Sequence, residues 1–252
     1  MNTCNILLLI FFFLVPCLLS YPQNETVIPK TITYCTRESK DYTDCLTNAI
    51  QELWDIFVRG IPEFDITPRD PLVLETIKDN YKTKDVSTFL HLRNLTIFGL
   101  KDTKFLRTRV NFTDNRIKLE VDQQIPYLYV ESTHEVNGSI SGVQVDGQGY
   151  FNLSMTNTTG TWCLDGRVEN DRWIIEHFLI SKETAQKVKI YFTDLFKGHP
   201  ELNEATLQLV NEFWEVFFEG IQPLINMIGD ARSTEFFNEK IFSKVPISKI
   251  FH

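Results

Sequence analysis

The chain has 252 residues, with 25 Lys and Arg against 33 Asp and Glu, for a formal charge of −8. A pI near 5.2 argues against a nucleic-acid-binding protein, because phosphate recognition needs clustered Lys and Arg. At 43% hydrophobic and 23% charged the composition excludes long disorder, and the 13% aromatic content brings an unusual amount of flat apolar surface to bury.

Ile6 to Leu19 form an almost unbroken apolar run followed by Ser20. Spanning a bilayer takes about 20 such residues, so this shorter run reads as a secretory signal over residues 1–20. Residues 21–252 are then expected to form a single domain. No later stretch is long and apolar enough for a stable membrane span. Asn-x-Ser/Thr sequons begin at Asn24, Asn94, Asn111, Asn137, Asn152 and Asn157. Six behind a signal read as a glycoprotein, secreted and extracellular. Beyond the signal remain Cys35, Cys45 and Cys163. Cys35 and Cys45 are close enough in the chain for a local disulfide. Cys163 is then a buried free thiol or an intermolecular partner, and free Cys favours burial.

The first element is a helix over Asp41–Gly60. Tyr42, Cys45, Leu46, Ala49, Ile50, Leu53, Trp54 and Phe57 recur there at spacings of three and four. Gly60 stops it, and three prolines in residues 61–71 make a stiff extended connector. From Leu92 to Phe196 the period becomes two. Ile117, Leu119 and Val121 alternate with Lys118, Glu120 and Asp122, and Phe151, Leu153 and Met155 with Asn152 and Ser154. Such alternation predicts antiparallel strands with one apolar and one wet face. Glycines at 138, 142, 147 and 149 fall where turns and bends need them. A single long helix is expected over Asn203–Ile228, kinked or broken near Pro223. Leu207, Val210, Trp214, Phe217, Ile221, Leu224 and Ile225 form its stripe, widened by Phe213, Val216 and Phe218. A helix apolar nearly all round is expected to be buried on most sides. A short amphipathic tail follows, Thr234 to Phe251. The economical architecture is α+β: a highly curved antiparallel sheet wrapped around a long hydrophobic helix, which leaves room for an internal cavity.

Three blocks also carry a resemblance. The first is Cys35, Cys45-Leu46, Gly60-Ile61-Pro62-Glu63-Phe64 and Asp70-Pro71-Leu72. The second runs from Pro126 through Gly138, Ile140, Gly147 and Gly149. The third is Asp194-Leu195-Phe196, Asn211-Glu212-Phe213-Trp214 and Ile241 to Pro246. In order and spacing the chain resembles the arthropod takeout family, within the haemolymph juvenile-hormone-binding superfamily. It departs from the family pattern at Asp65, Thr67, Arg69 and His134. The resemblance implies a secreted carrier with an elongated internal hydrophobic tunnel and a Cys35–Cys45 disulfide.

The expected function is therefore binding of a hydrophobic small molecule, such as juvenile hormone, another terpenoid or a fatty acid. The alternative is an extracellular lipid-transfer or membrane- or partner-binding glycoprotein. The expected tunnel lining is Val210, Trp214, Phe217, Ile221 and Leu224 from the helix, with Tyr127 and Tyr129 from the sheet. Tyr127, Tyr129 and His134 are the candidate polar anchors. No Gly-x-Ser-x-Gly elbow and no His-Glu-x-x-His occurs, and His134-Glu135 is followed by Val136-Asn137-Gly138 without a second ligand. Neither catalysis, a metal nor a cofactor is expected.

Overall fold

A computed structural model describes residues 33, 35–82, 86–140 and 143–251. The signal segment, Asn24 and Gly142 lie outside them. Residues 31–252 group into one unit.

Helix α1 spans Tyr42–Phe57 and buries Tyr42, Leu46 and Ala49, a face of spacing four and three. Cys45 on this helix is bonded to Cys35, with Cα atoms 5.7 Å apart. The helix ends where expected: Gly60 takes φ +92°, a left-handed conformation that costs glycine little. The connector holds a 3-10 turn, Pro62–Phe64, and no strand of the sheet.

Seven antiparallel strands follow: β1 Leu72–Lys82, β2 Val86–Phe98, β3 Lys104–Phe112, β4 Arg116–Ile140, β5 Val143–Glu169, β6 Arg172–Thr184 and β7 Lys187–Phe192. The sheet begins earlier than the expected Leu92. The sequence hid β1 because Glu75-Thr76 and Lys78-Asp79-Asn80 place polar groups on both faces. β4 and β5 pair along their whole length, from Arg116 opposite Arg167 to Ile140 opposite Val143. Each outer edge of this long ribbon takes two shorter strands. β3 and β2 share the β4 edge, and β6 and β7 share the β5 edge. β1 then pairs with β2, so β1 and β6 end the open sheet.

Side-chain facing changes phase once along the ribbon. On β4 the buried residues are Ile117, Val121, Gln123 and Ile125, then Ser132, His134 and Val136. On β5 they are Leu153 and Met155, then Thr158 and Leu164. The switch falls at Pro126 and at Asn157, which takes φ +50°. Both strands shift by one residue together, so the pairing register survives. The same face therefore stays covered along a twisting sheet, by the helices over most of it and by Leu195 and Phe196 at Val136 and Val145.

After β7 the chain crosses back over β5, where Asp146 bridges Phe196. Gly147 permits this approach, since a Cβ there would strike the backbone of Asp194 and Leu195. Two helices follow, α2 Pro200–Glu212 and α3 Trp214–Phe236. The expected single helix over Asn203–Ile228 is thus corrected. The break is at Phe213, with φ −112° and ψ 41°, and α3 runs straight through Pro223. Pro223 and Glu219, whose carbonyl loses its i+4 donor, both lie on the exposed side, so water replaces the missing bond. The tail after Thr234 is a π-helical turn, Phe237–Phe242, and a 3-10 turn, Ile247–Lys249, packed by Phe242, Ile247 and Phe251.

Polar side chains fasten α2 and α3 to the β6–β7 edge. Asn203, Asn211, Asn226 and Asn238 each accept a backbone N–H and donate to the carbonyl of the same residue: Phe196, Ile190, Ile180 and Ile175. Asp230 accepts the Phe178 N–H at 2.6 Å. Asparagine amides stand where another strand would pair, so this edge is covered. At the opposite edge, Arg232 donates to the Thr76 carbonyl of β1 at 3.2 Å. α3 therefore touches both ends of the open sheet.

Candidate functional site

Two apolar clusters lie under the helices. One joins Leu46, Ala49, Ile117, Leu164, Trp173, Ile175 and Phe178, with Trp162 and Ile180 packed against it. The other joins Leu153, Met155, Val188, Ile190, Val210 and Phe218, with Leu128, Val130, Trp214 and Ile221 against it. Between them, four elements each contribute a polar residue. β4 gives Gln123, between Leu119 of the first cluster and Leu128 of the second. β5 gives Thr158, β6 gives Glu183 and α3 gives Gln222.

This junction is incompletely paired. Gln123 is 2% exposed and Thr158 1% exposed. Gln123 Oε1 and Thr158 Oγ1 have no hydrogen-bond partner within the protein, nor has Trp162 Nε1 one step along the same face. Gly160, paired with Gln123, lies close under this group: a Cβ there would sit 3.4 Å from both Gln123 Nε2 and Ile180 Cγ2. The Gln222 amide donates to Glu183 Oε2 at 3.0 Å. Burial pushes the Glu183 carboxyl above the usual carboxylate range, and the Gln222 bond only partly opposes it.

The expected tunnel residues divide. Val210 is buried in the second cluster, and Trp214 and Ile221 pack against it. Leu224 is half-buried. Phe217 is 37% exposed, beside Phe213 at 52% and Val216 at 71%. The expectation of a helix buried on most sides is corrected: α2 and α3 lie along the sheet edge and present one flank to solvent. Tyr127, 53% exposed, and Tyr129 are on the face away from the helices, because the phase switch at Pro126 turns Leu128 and Val130 inward instead. The Tyr129 hydroxyl meets the Tyr150 hydroxyl at 3.2 Å and Glu131 at 3.3 Å. That bond to Tyr150, then burial, pushes the phenol up. His134 faces inward at 4% exposure, with neither ring nitrogen paired. Burial pulls its imidazole below the ordinary range, against the opposing charge of Asp194.

Outside, Arg109 binds Asp122 through two nitrogens at 2.5 and 2.7 Å and Glu120 at 3.2 Å. These groups, with Arg107 and Lys182, line a polar cleft of about 510 Å³. Thr76, His91 and Glu135 form a chain across β1, β2 and β4, at 3.1 and 3.3 Å. The order mimics a nucleophile, base and orienting acid, but Arg93 holds the same Glu135 oxygen at 2.6 Å. The surrounding backbone is engaged in strand pairing, so this is a cross-strand polar ladder without an oxyanion site. Among the described residues no cluster has a metal-binding set, and no helix is long and apolar enough to cross a membrane.

Among the described residues Cys163 is the free cysteine, half-buried, its thiol pushed up by burial. Asn94, Asn111, Asn137 and Asn157 are exposed and Asn152 is half-buried.

Residues 6–252 match the model of the haemolymph juvenile hormone binding protein family. The chain belongs to that family. Among curated members and relatives, it is 28% identical to a juvenile hormone-binding protein of Manduca sexta over 65% of this chain and 68% of that one. It is 21% identical to the circadian clock-controlled protein daywake of Drosophila melanogaster, over 82% and 83%. The solved structure of Takeout 1 from Epiphyas postvittana shares the fold, with a TM-score of 0.63 at 23% identity, covering 86% of this chain and 98% of that one. Membership in the family agrees with a binding role and a curved sheet laid against a long C-terminal helix.

The junction residues escaped the sequence reading, although one signal was present. Gln123 breaks the apolar phase of Ile117, Leu119 and Val121 with a polar group.

Proposed function

We propose that this family member is a secreted carrier. It binds an elongated hydrophobic small molecule, a terpenoid such as juvenile hormone or a fatty-acid derivative, between the sheet and α3, without catalysis. One observation carries the reading. The apolar groups that line the second cluster beside the junction, Leu128 and Val130 from the sheet and Trp214 and Ile221 from α3, are half-buried, as are Ile180 and Leu224. Solid core elsewhere is far tighter, with Ile77, Trp173 and Ile175 each at 2%. Side chains packed on one side and open on the other behave as walls rather than filling.

Burial of an alkyl chain contributes about 0.8 kcal/mol per methylene. Association opposes this with roughly 4–15 kcal/mol, so apolar walls alone give permissive binding. The test is saturable binding of N-phenyl-1-naphthylamine, a fluorescent apolar probe, with displacement by long-chain lipids. Ile221→Trp, which fills the space with a larger ring, should weaken probe binding about tenfold while the protein stays folded. Linear, non-saturable uptake would contradict a defined site.

A second reading rests on the outer flank of α2 and α3. Leu209, Phe213 and Val216 are more than half exposed, and Glu212, Glu215 and Glu219 flank them. An apolar strip so bordered suits a neutral lipid surface and repels an anionic one. Flotation with zwitterionic vesicles, lost in Val216→Glu, is the expected outcome if the protein delivers its cargo at membranes.

A further inference from the structure

We propose that Gln123, Thr158, Glu183 and Gln222 form a polar anchor that receives the oxygen-bearing end of an uncharged lipid, an alcohol, ketone or ester, and discriminates against a carboxylate. The inference rests on the carrier reading above and names the chemistry of that same site.

The argument starts from cost. A buried polar atom without a partner is expensive, and native folds rarely keep one without a reason. Gln123 Oε1 and Thr158 Oγ1 are such atoms, on residues 2% and 1% exposed. They lie on adjacent strands of one face, since Gln123 pairs with Gly160 and Ile125 with Thr158. Glu183 comes from β6 and reaches the same junction, its Cα 3.5 Å from a Cβ placed on Gly160. Gln222 of α3 holds the Glu183 carboxyl from the helix side at 3.0 Å. The polar groups thus come together between two apolar clusters, with Gln123 and Gly160 also bordering the outer cleft.

Their chemistry selects the ligand. An amide and a hydroxyl both donate and accept, so they suit a hydroxyl, a carbonyl or an ester oxygen. A carboxylate needs a cation or several donors to replace its water. The cations near these stretches are committed elsewhere or turned away: Arg109 binds Asp122 and Glu120, and Arg107 lies opposite Asp122 on the outer cleft that Gln123 and Gly160 also border. Arg116 binds Asp165 and Glu176, Arg167 binds Glu169 and Glu176, and Arg232 donates to the Thr76 carbonyl. Lys118 binds Glu120, and Lys182 is exposed with φ +55°. The charged group that does face the junction is Glu183, an acid, which would oppose a second carboxylate.

The experiment loads the full-length secreted protein with N-phenyl-1-naphthylamine and displaces it at pH 7.5 with dodecan-1-ol, methyl dodecanoate or dodecanoate. The alcohol and the ester should displace the probe at concentrations about tenfold below those of the acid, the scale of one good buried hydrogen bond. The near-isosteric pair Gln123→Met and Thr158→Val should erase that preference, read as the ratio of alcohol to acid displacement in the folded variant. Glu183→Gln should narrow the preference, tightening dodecanoate several-fold relative to dodecan-1-ol. Equal displacement by alcohol and acid in the wild type overturns the anchor while the carrier reading stands. So does a preference that survives the double variant, which would mean that ordered water satisfies these atoms. If the probe does not bind at all, the carrier reading fails and the anchor falls with it.

Discussion

Asn226 holds Ile180 at both backbone atoms: its Oδ1 accepts the Ile180 N–H at 3.1 Å and its Nδ2 donates to the Ile180 carbonyl at 3.1 Å. The side chain copies half of a strand pairing from the surface of a helix. Asn226→Leu keeps the volume but orphans two buried backbone groups, each worth about 1–3 kcal/mol when unpaired. Urea unfolding should show a loss of about 2–4 kcal/mol. Asn226→Asp keeps the acceptor and should lose roughly half of that.

The two adjacent phenylalanines of α3 should behave oppositely. Phe218 is 3% exposed within the second apolar cluster, and Phe217 is 37% exposed outside it. Phe218→Ala should cost about 3–5 kcal/mol by opening a void. Phe217→Ala should cost less than about 1 kcal/mol, as exposed positions do. Calorimetric melting of the two variants decides it, and equal losses would refute the placement of α3.

Asp122 gives a pH dependence with a definite sign. The paired bonds from Arg109, helped by the Thr161 hydroxyl, hold its carboxyl at about 2, below the usual 3.8. A depressed folded pKa contributes stability that is complete above about 4 and is lost as pH falls through about 2. Asp122 is about one-third exposed, so solvent screening limits the contribution to about 1–2 kcal/mol. Asp122→Asn should therefore be less stable than wild type by that amount at pH 7, and the gap should close near pH 2. A gap that stays constant with pH would show that the ion pair is not its source.

Glycans are expected on Asn111, which is exposed on β3, and on Asn152, half-buried on the face away from the helices. Enzymatic removal should convert each occupied Asn to Asp in peptide mass spectra. If both positions remain Asn, the proposed secretory route is wrong.

Much of the fold was legible from local pattern. Alternation along Ile117–Val121 and Phe151–Met155 gave the strands, and Gly60 gave the end of α1. What stayed hidden was non-local. Asn203, Asn211, Asn226, Asp230 and Asn238 are visible as polar interruptions of an apolar stretch, but their purpose needs a strand edge that sequence does not display. The wide apolar surface of α2 and α3 looked like burial on most sides because hydropathy reports composition, not which flank meets a neighbour. Tyr127 and Tyr129 face away from the helices because the phase reverses at Pro126, a shift that the local pattern does not display. The junction of Gln123, Thr158, Glu183 and Gln222 joins four elements far apart in sequence and needed the assembled fold.

The central claim is that a lipid lies between the sheet and α3, against Trp214. The most direct measurement is titration with 12-bromododecan-1-ol, followed by intrinsic tryptophan fluorescence in wild type and in Trp214→Phe. Bromine quenches an indole only on close approach. The account predicts saturable quenching in the wild type and a clearly smaller quenched fraction in Trp214→Phe at unchanged affinity. Quenching that never saturates, or that is identical in the two proteins, would contradict it.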